Sequence, residues 1–212
     1  MTTIKVSWAP APRTGQPSSV PAAGVQPGLI PTVDRVVAAW DDAPPARRRL
    51  LRAACVIAAL LGATVQAPAT VCWSIAFVGV LLAVAAMVDV HECKLPNWLL
   101  AVAFVVVLGG AAATSDASVV AAAVVGSALA GGPMLFVRLA RGVGMGDVKM
   151  AGVVGASVGP IALVAAPVAV AVAALVAGTY GLVAGRRRLP LGPALWLGWA
   201  VSLAAAATGW PR

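Results

Sequence analysis

Long apolar runs dominate the sequence from Leu50 onward and alternate with short polar segments. A helix that crosses the hydrocarbon core of a bilayer needs about 20 apolar residues, with a lower limit near 17. The runs are close to this length, and their abundant Gly, Ala and Ser allow the close helix contacts of membrane bundles. We therefore predict an all-α, polytopic membrane helix bundle of about seven transmembrane helices. The predicted helices cover residues 50–66, 70–88, 97–114, 117–138, 148–163, 165–185 and 192–208.

Composition excludes several classes of protein. Hydrophobic residues make up 61% of the 212-residue chain and charged residues only 10%, whereas soluble domains carry about 25% charged residues. This balance excludes a soluble globular protein and a disordered one. The net charge of +8 does not indicate nucleic-acid binding, because the basic residues form short clusters between apolar runs, a pattern that orients membrane helices. The predicted surroundings are a lipid bilayer.

The basic residues predict which loops face the cytoplasm. Four arginines within residues 47–52 accompany the start of the first helix and place the amino terminus inside under the positive-inside rule. Alternation then puts three loops inside, near residues 89–96, 139–147 and 186–191. All the remaining Lys and Arg beyond residue 52, except the terminal Arg212, lie in or beside these loops, and the outer loops near 67–69, 114–116 and 159–164 contain none. This distribution supports seven spans in the cell membrane.

The fifth predicted helix is the least regular. It is short and rich in glycine, and Pro160 and Pro167 lie near its junction with the sixth. One long broken helix or a re-entrant segment is therefore an alternative for this region. Separate helices are favoured, because a merged helix would place the basic cluster 186–188 on the outer side.

Residues 1–46 form a distinct amino-terminal segment. They are rich in Pro, Ala, Gly and Ser and contain no apolar run long enough for the core of a signal peptide. We therefore expect a flexible cytoplasmic tail and not a cleaved signal. Binding of a partner by its proline-rich stretches is the alternative.

No metal or cofactor is predicted. Cys55, Cys72 and Cys93 are far apart in the sequence and form no CxxC pair, so they indicate neither a zinc site nor a disulfide framework. His91 is the only histidine in the chain, and Glu92 beside it does not complete a ligand set. We interpret His91 as a solvated loop residue.

Two aspartates stand out among the few acids of the apolar region. Asp89 ends the second predicted helix and Asp147 immediately precedes the fifth, so the predicted topology brings both to the cytoplasmic side. An acid at membrane depth indicates function, because a carboxylate is costly to bury there. Two adjacent carboxylates share one proton, so that one can act as a general base on water and the other as a general acid. This is the chemistry of an aspartic protease.

The surroundings of each acid leave other interpretations open. Glycines at alternate positions before Asp147 let an extended substrate strand approach its carboxylate, although a flexible connector with a solvated acid is the alternative. Asp89 could be a boundary residue that faces lipid headgroups. Asp116 is interpreted as a helix cap or loop acid. Lys94 and Lys149 could pair with a carboxylate, but snorkelling to the interface is the simpler account.

The motifs around both aspartates resemble those of the prepilin peptidases, GxGD-type aspartic proteases of the membrane that process type IV and Flp pilin precursors. Residues 144–150, Gly-Met-Gly-Asp-Val-Lys-Met, resemble the second catalytic block of that family. Asp89 followed by Leu-Pro-Asn at 95–97 is similar to the first block. Residues 189–193, Leu-Pro-Leu-Gly-Pro, resemble a late Pro-Phe-Gly-Pro segment, with Leu191 in place of the aromatic. The resemblance covers roughly residues 70–208.

This resemblance implies a specific activity. It implies Asp89 and Asp147 as the catalytic pair, no cofactor, and a prepilin substrate with a short basic leader and a Gly before the scissile bond, cleaved at the cytoplasmic face. A peptidase-like domain would cover 70–212, with 47–69 as an additional helix before a six-helix core. The amino-terminal CxxC region of larger members is missing, so the chain resembles the short, peptidase-only branch of tight-adherence pili. The residues expected to shape the loops or bind substrate are Gly144, Met145, Gly146, Lys149, Pro96 and Asn97.

Two other functions are compatible with parts of the sequence. The first is another GxGD intramembrane protease similar to signal peptide peptidases, since Pro-Ala-Leu at 193–195 matches a triplet of those proteins. In them a Tyr precedes the first catalytic Asp, whereas Val88 precedes Asp89 here. The second is a non-enzymatic transporter in which both aspartates relay protons. It does not account for the glycine-rich loop or for the Pro-Asn turn.

Overall fold

A computed structural model of the chain describes residues 44–92, 95–140, 142–185 and 189–209. All regular secondary structure in these ranges is helical, which confirms the predicted all-α helix bundle. The predicted tail lies outside the described residues except for its last three, as do Cys93, Lys94 and the basic cluster 186–188. The seven described helices are α1 (Pro45–Thr64), α2 (Ala69–Glu92), α3 (Asn97–Ala112), α4 (Ala117–Leu139), α5 (Met145–Val158), α6 (Ala165–Ala184) and α7 (Gly192–Ala207).

Three of these helices are long and apolar enough to cross a membrane. They are α2 from Ala69 to His91, α4 and α6, with 23, 23 and 20 residues. Helices α3 and α7 are also apolar but shorter, with 16 residues each. Apolar side chains on the outside of the bundle, such as Trp73, Phe136 and Leu182, are largely exposed. This pattern is that of a protein whose outer surface contacts lipid.

Helix boundaries differ from the predicted ones beside both aspartates. Helix α2 continues to Glu92 instead of ending at residue 88, because no Gly or Pro interrupts it there. Asp89 and His91 are therefore helical residues and not part of a turn. Helix α5 begins at Met145 instead of residue 148, because Gly144 adopts an extended conformation and its amide is bound by the Asp147 side chain. Both carboxylates thus project from helices.

Helix α5 occupies the centre of the bundle. Its 14 residues correspond to a length of about 21 Å, shorter than the hydrocarbon core of a bilayer, which is about 30 Å thick. It contacts α2, α3, α4, α6 and α7, and most of its residues are buried. A short helix is stable at this depth because protein, and not lipid, surrounds it.

Small residues allow α4 and α5 to approach closely. A Cβ added to Gly155 of α5 would lie 2.5 Å from the Cβ of Ala130 and would also overlap the carbonyl oxygen of Gly126. Gly126 and Gly159 show the same crowding against backbone atoms of the facing helix. Van der Waals contact between backbones is the main attraction available to helices in lipid.

Two tryptophans attach α7 to the helices that carry the aspartates. Trp199 is fully buried, and its indole N–H donates to Ser157 Oγ on α5 at 3.0 Å. The indole of Trp196 donates to the carbonyl oxygen of Gly79 on α2 at 3.1 Å. These bonds join α7 to α2 and to α5 in the interior of the bundle, where unsatisfied donors are costly.

The contact between α4 and α5 predicts a difference between two glycines. Gly155→Ala should lower the stability of the purified protein by about 1–3 kcal/mol, because the methyl group overlaps the facing backbone. Gly132→Ala, whose Cβ would meet no atom within 4 Å, is the matched control and should change stability by less than about 1 kcal/mol. Thermal unfolding in detergent, followed by tryptophan fluorescence, measures both. Equal melting temperatures for the two variants would contradict the described packing.

Candidate active site

The carboxyl end of α2 lies at the same end of the bundle as the amino ends of α1, α3, α5 and α7. Four side-chain contacts connect these ends: Arg47 with His91, Leu95 with Gly146, Lys149 with Asn97, and Asp89 with Gly192. We call this region the aspartate end. The structure therefore brings Asp89 and Asp147 to the same end of the bundle, as the sequence predicts.

Asp89 lies in the last turn of α2 and is only 5% exposed. The backbone N–H of Gly192, the first residue of α7, donates to Asp89 Oδ2 at 2.8 Å. A Cβ at Gly192 would lie 3.0 Å from that oxygen and 3.1 Å from Asp89 Cβ. A side chain at this position would require its neighbours to move by a few tenths of an ångström, so glycine allows the start of α7 its close approach to the carboxylate.

Asp147 lies in the first turn of α5. Its Oδ2 accepts the backbone N–H of Gly144, the residue before the helix, at 3.1 Å. Such a bond satisfies one of the amides at the helix start and favours an acidic side chain at this position. Gly146 packs against the turn that leads into α3, because a Cβ there would lie 2.8 Å from Leu95 Cβ. The glycines thus serve helix capping and close packing.

The two carboxyl groups influence each other electrostatically. Asp147 lies outside the three spanning helices. Burial of its side chain and, to a smaller extent, the charge of Asp89 raise the pKa of Asp147 to about 6, while the N–H of Gly144 has the opposite effect. A carboxyl group with such a pKa keeps its proton in roughly a tenth of the molecules at pH 7, far more often than one with the ordinary value, and can therefore act as an acid.

A hydrogen bond joins the two motif segments that flank the aspartates. Lys149 Nζ donates to Asn97 Oδ1 at 3.0 Å. Pro96 is the residue immediately before α3, and Leu95 covers Gly146. The Leu-Pro-Asn turn is thus held against the first turn of α5 by one polar and one apolar contact. This contact accounts for Lys149 more directly than snorkelling does.

A cavity of about 570 Å³ opens between α3, α4 and α5. Small or apolar residues such as Ala101, Gly131 and Gly152 form most of its wall, and Asn97 and Lys149 also line it. It can therefore receive apolar side chains next to a polar, positively charged pair.

Other residues singled out in the sequence have separate places. Met145 begins α5 and is 44% exposed. Asp116 precedes α4, and its Oδ1 accepts the amide and hydroxyl of Ser118, which confirms it as a helix cap. Arg47 Nη1 of α1 donates to His91 Nε2 at 2.8 Å. Among the described residues, no group of three His, Cys, Asp or Glu side chains could hold a metal ion.

Gly192 is the site residue that sequence reasoning did not single out. It belongs to segment 189–193, whose sequence resembles a late motif of the prepilin peptidases. Pro193 directly after Gly192 indicates a special backbone position. The acceptor of the Gly192 amide, Asp89, lies 103 residues earlier in the chain and cannot be identified from this local pattern.

The raised pKa of Asp147 predicts a pH-dependent stability. Because its pKa in the folded protein exceeds the ordinary value of 3.8, its stabilising protonated form is lost as the pH rises through about 6. We therefore compare the melting temperature of Asp147→Asn with that of the wild type at two pH values. The variant minus wild-type difference should be a few degrees more positive at about pH 7.5 than at about pH 4.5.

Asp116→Asn is the matched control for this measurement, because the Ser118 hydroxyl and amide lower the pKa of Asp116. The melting temperature of that variant should not rise relative to the wild type between the two pH values. A difference between Asp147→Asn and the wild type that is the same at both pH values would contradict the described surroundings of Asp147.

Comparison with known proteins identifies the family. The model of the type IV leader peptidase family matches residues 75–182, which is half of the 212-residue chain and includes both aspartates. No curated protein and no solved structure matches. The match confirms the family indicated by the motifs around Asp89 and Asp147, and the chain belongs to the type IV leader peptidase family.

Proposed function

We propose that the protein is an aspartic endopeptidase that removes the basic leader from type IV or Flp-type prepilins. Membership of the leader peptidase family makes the chain a protease of that type. The observation that carries the finer proposal is the placement of the buried Asp89 and the half-buried Asp147 at one end of the bundle, each bound by a glycine amide at a helix start. The charge of Asp89 there contributes to the raised pKa of Asp147. In such a pair one group can hold a proton while the other is ionised.

The proposed reaction needs only these two groups and a water molecule. The ionised carboxylate takes a proton from water, and the oxygen of that water bonds to the carbonyl carbon of the scissile peptide. The protonated carboxyl group stabilises the carbonyl oxygen, and a proton is delivered to the departing amine as the C–N bond breaks. A carboxylic acid and an amine are released. The pKa of about 6 for Asp147 suits a group that must be protonated in this cycle.

The residues around the pair would receive the substrate. Gly144, Met145 and Gly146 form the entry to α5, where small side chains leave room for an extended peptide beside Asp147. The other side of the proposed substrate site is formed by Pro96, Asn97 and Lys149. The hydrogen bond between Lys149 and Asn97 holds this side together. The cavity between α3, α4 and α5 borders this side and could accept apolar side chains of the precursor.

The proposed location is the cell membrane, with the amino terminus and the active site at the cytoplasmic face. The described basic residues support this orientation: Arg47 and Lys149 belong to helix ends that form the aspartate end, and Arg138 Nη1 donates to the carbonyl oxygen of Val143, just before α5. Positive charge in short loops faces the cytoplasm. Residues 70–212 would then be the peptidase domain and 47–69 an additional helix, which contacts α2 and α7.

Cleavage of other membrane segments by the same aspartates is the second candidate. It is favoured by the position of Pro-Ala-Leu at 193–195, directly after the glycine that binds Asp89. Two substrates separate the candidates: a pilin precursor with a basic leader, and a signal peptide of the same length. Cleavage of the pilin precursor alone favours the leader peptidase, and cleavage of the signal peptide favours the second candidate. A transporter is disfavoured because the family is one of peptidases.

The proposed pair predicts the effect of single replacements. Asp89→Asn and Asp147→Asn should each lower the cleavage of a co-expressed pilin precursor by about 100- to 10,000-fold, because each removes a proton-transfer group. Both variants should still reach the membrane. Immunoblots that separate precursor from mature pilin measure the outcome, with wild-type enzyme as reference.

Asp116→Asn provides the matched control for the same assay. Asp116 caps α4, and asparagine is an equally good capping residue, so processing should remain within about twofold of the wild type. Full processing by either Asp89→Asn or Asp147→Asn would refute the pair.

A further inference from the structure

The first residue of α7 contacts the carboxylate of Asp89 directly. The match to the peptidase family stops at residue 182, so Gly192 lies outside the matched region, whereas Asp89 lies within it. Gly192 is the first residue of α7, and its N–H has no carbonyl partner within its own helix. That amide donates to Asp89 Oδ2 at 2.8 Å. The contact therefore uses a donor that α7 cannot satisfy by itself.

Asp89 needs such a donor to be ionised. Its side chain is only 5% exposed, and it stands in the last turn of α2, where the helix dipole disfavours an anion. Within the described part of the chain, the Gly192 amide is its only hydrogen-bond donor. Burial and the dipole of α2 both disfavour a negative charge on Asp89. The positive end of α7 opposes both effects.

The same contact restricts how the carboxylate can turn. One oxygen of Asp89 is bound to a helix that two tryptophans attach to the bundle. The backbone at position 192 also lies close to Ala86 of α2, since an added Cβ would be 3.0 Å from Ala86 Cα. The contact thus holds Oδ2 of Asp89 in one position relative to α7.

We propose that Gly192 is a positioning residue for the peptidase reaction: its amide orients Asp89 and maintains it as the ionised member of the pair. The inference rests on the proposed function. Other charged groups at this end lie on two helices packed against α2. Helix α1 carries the four arginines within residues 47–52, of which Arg47 is bonded to His91 of α2. Helix α5 carries Asp147 and Lys149. Helix α7 carries no charged residue, so its contribution comes from its backbone.

The test compares two glycine-to-alanine variants of the full-length protein in proteoliposomes. Gly192→Ala puts a methyl group against Asp89 and displaces the amide. Gly181→Ala is the matched control, because its Cβ would meet only the flexible side chain of Leu189. For a pilin precursor, Gly192→Ala should lower kcat about 10- to 100-fold with KM within about threefold. Gly181→Ala should leave both unchanged.

A spectroscopic measurement separates this role from a merely structural one. Infrared spectra at about pH 7 should show a new protonated-carboxyl band in Gly192→Ala, because a buried carboxylate takes up a proton more readily when its donor is displaced. The band should be missing from the double variant Gly192→Ala/Asp89→Asn. An unchanged spectrum, or a new band that persists in the double variant, would overturn the proposal even if kcat falls.

A second measurement does not depend on Gly192→Ala folding or on peptidase activity. Hydrogen–deuterium exchange of the Gly192 amide should be at least about 10-fold slower in the wild type than in Asp89→Ala, because the bond to Oδ2 protects it. Equal exchange in both proteins would show that Asp89 is not held by this amide. If the precursor is not cleaved at all, exchange and infrared spectra still decide the contact, so a wrong substrate and a wrong role for Gly192 give different results.

Discussion

The structure depends on accommodating carboxyl groups inside an apolar helix bundle. A carboxylate at the centre of a membrane helix costs about 2.5–3.5 kcal/mol on insertion scales, and less towards the helix ends, where Asp89 and Asp147 lie. A buried carboxylate there still requires a compensating donor. Both aspartates receive it from a glycine amide at the start of a helix: Gly192 for Asp89 and Gly144 for Asp147. Amides at helix starts are unsatisfied within the helix. The bundle thus uses donors that it must satisfy in any case.

The central helix α5 makes this arrangement possible. It is too short to span a bilayer and is surrounded by five other helices, so its first turn lies within the aspartate end. Close contact through Gly126 and Gly155 fixes its position against α4, and the bond between Trp199 and Ser157 fixes it against α7. A shift of α5 would move Asp147, and a shift of α7 would move the amide that binds Asp89. The packing of these two helices therefore contributes to the positions of both carboxyl groups.

Much of this fold could be predicted from the sequence, because long apolar runs and basic loops are governed by the bilayer itself. The seven helices of the described residues, the shared end of Asp89 and Asp147, and the cap at Asp116 followed from such local patterns. The extension of α2 through His91 did not, because polar residues at a helix end do not show where the helix stops. The contacts of Gly192 with Asp89 and of Lys149 with Asn97 join residues far apart in sequence, and a single sequence contains no periodic signal for them.

The central claim is that Asp89 and Asp147 of one chain form a single proteolytic site. Purified wild-type protein, Asp89→Asn, Asp147→Asn and a mixture of both variants, each in proteoliposomes with a pilin precursor, test it most directly by mass spectrometry of the products. We predict cleavage at one peptide bond by the wild type, and cleavage at least about 100-fold slower by either variant and by their mixture. Cleavage at the rate of the wild type by either single variant, or restored cleavage in the mixture, would contradict the claim.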